Sequence, residues 1–71
     1  MPTLEDAELN AYRIQHMLIT ERHGLRAADA ANYGWAVIIE SDRVDIATKV
    51  YGEGVLHTVA HIDGTMEHTW E

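Results

Sequence analysis

The sequence predicts an α+β fold: an N-terminal helix and a short second helix packed on one face of a four-stranded antiparallel β-meander. Three observations carry this. Apolar residues recur at helical spacing from Leu4 to Leu18. From Trp35 onward the period changes to two. The breaks between the alternating segments are Ser41-Asp42, Gly52-Glu53-Gly54 and Asp63-Gly64, all of hairpin length.

The first helix opens at Thr3, an N-cap residue with Asp6 three positions on, a variant of the capping box. Glu5, Asp6 and Glu8 place negative charge at the positive end of the helix dipole. Leu4, Ala7, Ala11, Ile14 and Leu18 form its apolar stripe, and Tyr12 and Ile19 fall off it. Arg22 and His23 suit the last turn, and Gly24 suits the C′ position. The stretch RIQHMLIT also alternates as a strand would, but the caps and the longer stripe favour helix. Leu25 to Tyr33 is rich in alanine and reads as a second helix, ended by Gly34. One unbroken helix over 3–33 would be about 45 Å long, overhanging any sheet the rest of the chain could build, so the break belongs at Gly24.

WAVIIE, RVDIATKVY, VLHTVAHI and TMEHTWE are the four strands, so the sheet occupies about 35–71 and the helices about 3–33 of a single small domain, 1–71. A two-residue turn at Ser41-Asp42 pairs Glu40 with Arg43, Ile39 with Val44, Val37 with Ile46 and Trp35 with Thr48. A loop with Gly54 left-handed pairs Tyr51 with Val55, Val50 with Leu56 and Val44 with Ile62. A type I′ turn at Asp63-Gly64 pairs Ile62 with Thr65, His61 with Met66, Val59 with His68 and His57 with Trp70.

These pairings place Trp35, Val37, Ile39, Val44, Ile46, Thr48, Val50, Leu56, Thr58, Ala60 and Ile62 on one almost wholly apolar face, which the helices should cover. The fourth strand would give that face only Thr65, Glu67, Thr69 and Glu71. The opposite face would carry Ile38, Tyr51, His57, Val59, His61, Met66, His68 and Trp70, with Asp45 and Lys49 as its formal charges. A face this apolar is an association surface.

Composition narrows the function. With 71 residues and no cysteine the chain has no disulfide, thiolate metal site or cysteine nucleophile. The absence of cysteine fits a reducing, cytoplasmic setting. A formal charge of −7 argues against direct binding to nucleic acid and favours a basic protein as partner. The acids gather in the sheet half, seven against two bases in 35–71 and five against three in 1–34. Glu40, Asp42, Glu53 and Asp63 fall at turns and strand ends, an acidic surface in its own right. The opening MPTLEDAEL is acidic and unlike a signal peptide, and no apolar run approaches a membrane span.

Chemistry-bearing motifs are few. Helical HExxH, Walker A, GxGxxG and EF-hand patterns are missing, and Ser41, the only serine, sits in a turn. His57 and His61 are four apart on a strand, about 13 Å, too far to share an ion. Asp45, His61 and His68 form the one cluster that could hold zinc, on the expectation that Asp45 neighbours His61 across the strands. His16 and His23 read as solvated helix residues. No cofactor is required and no catalytic group is apparent, so the chain reads as a non-enzyme.

The sequence thus points to a small acidic protein-interaction module that acts by stoichiometric binding and forms a homodimer through the exposed sheet face. A metal- or ligand-binding protein using the Asp/His/His cluster is the alternative. No motif assigns a family. In size, acidity and lack of catalytic groups the chain is similar in character to phage or mobile-element proteins that block a host protein, such as anti-restriction and anti-CRISPR proteins. That similarity implies an inhibitor of a basic, nucleic-acid-handling protein and transfers no residue.

Overall fold

The structure, a computed structural model, describes residues 3–71. Helix α1 spans Leu4–His23 and opens as the capping signal requires, with Thr3 Oγ1 accepting from the Asp6 amide at 3.1 Å. Gly24, at φ 96°, breaks it from α2, Leu25–Ala30. The second helix is shorter than its alanine content suggests. Ala31 is extended, Asn32 already pairs with Lys49, and the Tyr33 hydroxyl donates back to the Ala28 carbonyl at 2.7 Å. Sheet pairing overrides helix propensity here.

The strands are β1 Asn32–Ile39, β2 Arg43–Val50, β3 Gly54–His61 and β4 Met66–Trp70, in the spatial order β1-β2-β3-β4. All neighbours are antiparallel. The first hairpin has the expected register, with Glu40 N donating to Arg43 O and with Ile39 opposite Val44 and Val37 opposite Ile46. The expected Trp35–Thr48 pair is absent. The ladder shifts between Asn32 and Ala36, and Gly34 adopts φ 67°. This glycine-centred bulge reverses the parity of Trp35, which lies with Asn32, Lys49, Tyr51 and Val55 on the outer side of the sheet.

The second hairpin is displaced from the expected register by two residues, Val50 facing Gly54 and Val44 facing Ala60. An even shift preserves parity, so both strands keep their inward residues. The third hairpin is displaced by one. The Gly64 amide donates to His61 O at 3.0 Å and His61 N donates to Thr65 O at 2.9 Å, so the loop is Ile62-Asp63-Gly64 with Gly64 left-handed. Leu56 therefore faces Trp70, Thr58 faces His68 and Ala60 faces Met66. Met66, His68 and Trp70 thus lie on the helix side of β4, while Glu67, Thr69 and Glu71 lie on the outer side, the reverse of expectation.

The helices cover the inner face in two apolar clusters. Ala7 and Ala11 pack with Val44, Ile46 and Ala60, joined by Leu4, Tyr12, Val37 and Met66. Ile19 and Ala28 pack with Val50 and Leu56, joined by Leu18, Tyr33 and Trp70. The buried stripe of α1 is Ala7, Ala11, Gln15 and Ile19, so Ile19 belongs to the core and Ile14 lies at its margin. Helix α1 runs along the sheet's middle, and Ile39 at the far end of β1 stays exposed although it is on the helix side. Among the described residues no helix is long and apolar enough to cross a membrane.

Candidate functional site: the outer face of the sheet

No described element covers the outer face. Its centre is the cross-strand pair Ala36–Ala47, where two small side chains leave a shallow depression of about 220 Å³ walled by Ile38, Asp45, His57 and Val59. Beside it a second depression of about 420 Å³ lies between Asn32, Trp35, Lys49, Tyr51 and Val55. Trp35, Ile38 and Tyr51 are each more than half exposed, at 55%, 58% and 58%. Large apolar side chains this open around a recess offer the anchor-and-pocket relief of a binding surface.

The charges on this face are held in pairs. Arg43 Nε stands 3.7 Å from Asp45 Oδ1, near enough for an ion pair and beyond a hydrogen bond. Lys49 Nζ sits 5.6 Å from the Tyr51 ring centroid, a cation–π contact. His57 Nε2 pairs with Glu71, and His61 Nε2 with Glu67 at 3.1 Å. The exchange on β4 gives the face a polar border that the sequence reading lacked. Glu67 and Glu71 run down one side and Glu40 and Asp42 stand at the first turn, all exposed, while Glu53 at the second turn pairs with His23 on the helix side.

Of the expected contact residues, Ile38, Tyr51, His57, Val59 and His61 are on this face. Met66, His68 and Trp70 are not: Met66 packs on the first core cluster and Trp70 on the second, where Arg22 and the His23 ring cover it. The proposed zinc trio is likewise separated. His68 lies on the opposite side of the sheet, and Asp45 faces Val59 while His61 faces Arg43. Among the described residues no three His, Asp or Glu side chains converge on a metal-sized site. The helix histidines are not simply solvated either. His16 pairs with Asp29 at 3.0 Å, and His23, largely buried, pairs with Glu53 at 3.3 Å. Asp63 serves its turn by accepting from Thr65 N at 3.0 Å and Thr65 Oγ1 at 2.7 Å, bonds that hold its carboxyl below the usual carboxylate range.

Sequence reasoning missed a buried polar relay under the helix. Gln15 is fully buried between the two apolar clusters. Its Oε1 accepts from Thr48 Oγ1, and its Nε2 donates to Thr58 Oγ1 at 2.8 Å and to the Leu56 carbonyl at 3.4 Å. Thr58 Oγ1 also lies 2.9 Å from His68 Nδ1, a hydrogen bond whose direction follows the imidazole tautomer and which extends the relay to β4. Burial pushes the His68 imidazole below the ordinary histidine value. The relay orients α1 on the sheet and fixes β4 against β3. The signal for it was present: Thr48 and Thr58 were the only polar residues in an otherwise apolar face.

No known protein family, curated protein or solved structure matches the chain.

Proposed function

We propose that this protein acts by stoichiometric binding to another protein, with the outer sheet face as its contact surface. The observation that carries the reading is the pattern on that face: an open apolar centre over Ala36–Ala47, anchored by Trp35, Ile38 and Tyr51, with carboxylates on its border. An apolar centre with a polar rim is the anatomy of a protein interface. An acidic rim on a chain of net charge −7 favours a basic partner and speeds encounter with it. The sharpest form of the reading is an acidic inhibitor that occludes a basic, nucleic-acid-handling surface in the cytoplasm. The metal-binding alternative has no support once His68 is on the inner side of the sheet.

The test is affinity capture from the source cell with wild type and Val59→Lys in parallel. Val59 lies between Asp45 and Glu67 on the neighbouring strands, so a lysine there gains two opposite charges and the fold is retained. The expected result is a basic protein bound by wild type, released by salt, and not retained by Val59→Lys. Equal capture by both would overturn the assignment of the surface.

A further inference from the structure

Among the described residues the sheet ends on both sides in a free edge, and the two edges are built differently. Strand β4 is short and carries Glu67, with Glu71 just beyond it, the charged protection expected of an exposed edge. Strand β1 has no such protection. Between Asp29 and Glu40 there is no charged side chain and no proline. Glu40 and Arg43 form a hydrogen-bonded pair, so by the alternation of an antiparallel ladder Ile38–Asp45 and Ala36–Ala47 do as well. The amides and carbonyls of Val37 and Ile39 then point away from β2, into the open edge. Ile39 is 62% exposed and Ile38 58%.

From this edge we infer that the protein forms a two-fold dimer by antiparallel pairing of β1 with β1 of a second copy, giving one continuous eight-stranded sheet. Three features select a second copy as the occupant. The directional backbone groups of Val37 and Ile39 require an extended strand, and β1 is itself one. In a chain of net charge −7, two copies repel over most of their surface, and the uncharged stretch between Asp29 and Glu40 is where they meet with least repulsion. The segment is also self-complementary. Pairing centred on Val37 sets Ile38 of one copy beside Ala36 of the other, where it closes the open side of the Ala36–Ala47 depression. The irregularity between Asn32 and Ala36 leaves 36–39 as the regular part of the edge, and pairing centred on Val37 uses 36–38 of each copy.

Both pairs of helices would lie on one side of this sheet, leaving the two outer faces side by side. The dimer stands on the edge geometry and not on the outer-face reading above, and it replaces the face-to-face packing expected from the sequence. The test is the mass in solution of wild type, Ile39→Lys and Val59→Lys over a dilution series. Wild type and Val59→Lys are expected at twice the chain mass and Ile39→Lys at the chain mass. The lysine lowers the net charge, so its effect cannot come from added repulsion. Circular dichroism checks that Ile39→Lys is folded, and Val37→Cys gives an independent reading. In a chain without cysteine this variant should oxidise to a covalent dimer, whereas Thr69→Cys, on the opposite edge strand β4, should not. A monomeric wild type, a dimer that survives Ile39→Lys, or a dimer lost only in Val59→Lys would each overturn the inference.

Discussion

Replacing Gln15 by leucine should destabilise the protein, although it puts an apolar residue into a fully buried site. Among the described residues Gln15 is the one acceptor for the proton of the Thr48 hydroxyl, itself fully buried, and leucine leaves that proton unsatisfied, with only the long contact from the Gly34 amide at 3.5 Å remaining at the oxygen. Thr58 loses a donor but keeps its hydrogen bond with His68 Nδ1, so its share of the cost is small. One orphaned buried hydroxyl costs about 1–3 kcal/mol. At a typical stability per residue, a domain of 71 residues has about 4–10 kcal/mol in all, so the loss is a large fraction. It corresponds to a melting temperature lower by about 4–24 °C. Urea and thermal melts followed by circular dichroism measure it. Adding Thr48→Val to Gln15→Leu removes the orphan and should recover most of the loss, a coupling of about 0.5–3 kcal/mol. A Gln15→Leu variant within about 0.5 kcal/mol of wild type, below the range for an orphaned polar group, would refute the relay.

Four further outcomes follow from the same geometry. Because burial depresses the His68 pKa in the fold, its contribution is complete above the unfolded value of 6.5 and is lost as pH falls from there through the folded value; an NMR titration placing His68 above 6.5 would contradict this. Ile46→Ala empties the centre of the first core cluster and should cost about 2–5 kcal/mol, read by denaturant melts. At Gly34 an added Cβ would lie 2.4 Å from the Tyr12 hydroxyl on a backbone at φ 67°, so Gly34→Ala should cost about 1–3 kcal/mol; an unchanged melt would remove the bulge from the account. Acrylamide should quench Trp35 readily and Trp70 weakly, seen in Trp70→Phe and Trp35→Phe respectively, and equal quenching would put β4 back on the register read from sequence.

Helix α1, the first hairpin and the inward sets of β2 and β3 were legible because each rests on local chemistry or on parity. Thr3 caps as its position demands, and Ser41-Asp42 permits one tight turn. The displacement of β3 by two residues went unseen without harm, since an even shift keeps every side chain on its face. Strand β4 was misplaced by a single residue. Asp63-Gly64 reads as a two-residue turn, but the Asp63 carboxylate takes both the amide and the hydroxyl of Thr65, which favours a type I turn ending in left-handed Gly64. That one residue moved Met66, His68 and Trp70 to the helix side of the sheet and brought Glu67 and Glu71 onto the outer face. Trp35 moved the other way, because a bulge at Gly34 depends on the fit of Tyr12 against it, a tertiary contact with no local signature. Gln15 escaped notice because an apolar stripe counts only apolar residues, and two inward threonines supply what its amide needs.

The outer-face assignment is tested most directly by Trp35 itself. In a Trp70→Phe background Trp35 is the sole tryptophan and stands on the proposed contact surface. Titrating the captured partner into this variant should shift the Trp35 emission to shorter wavelength and protect it from acrylamide, with saturation at a fixed stoichiometry and no response in Val59→Lys. A partner that binds with full affinity while Trp35 remains as open to quencher as in the free protein would contradict the account.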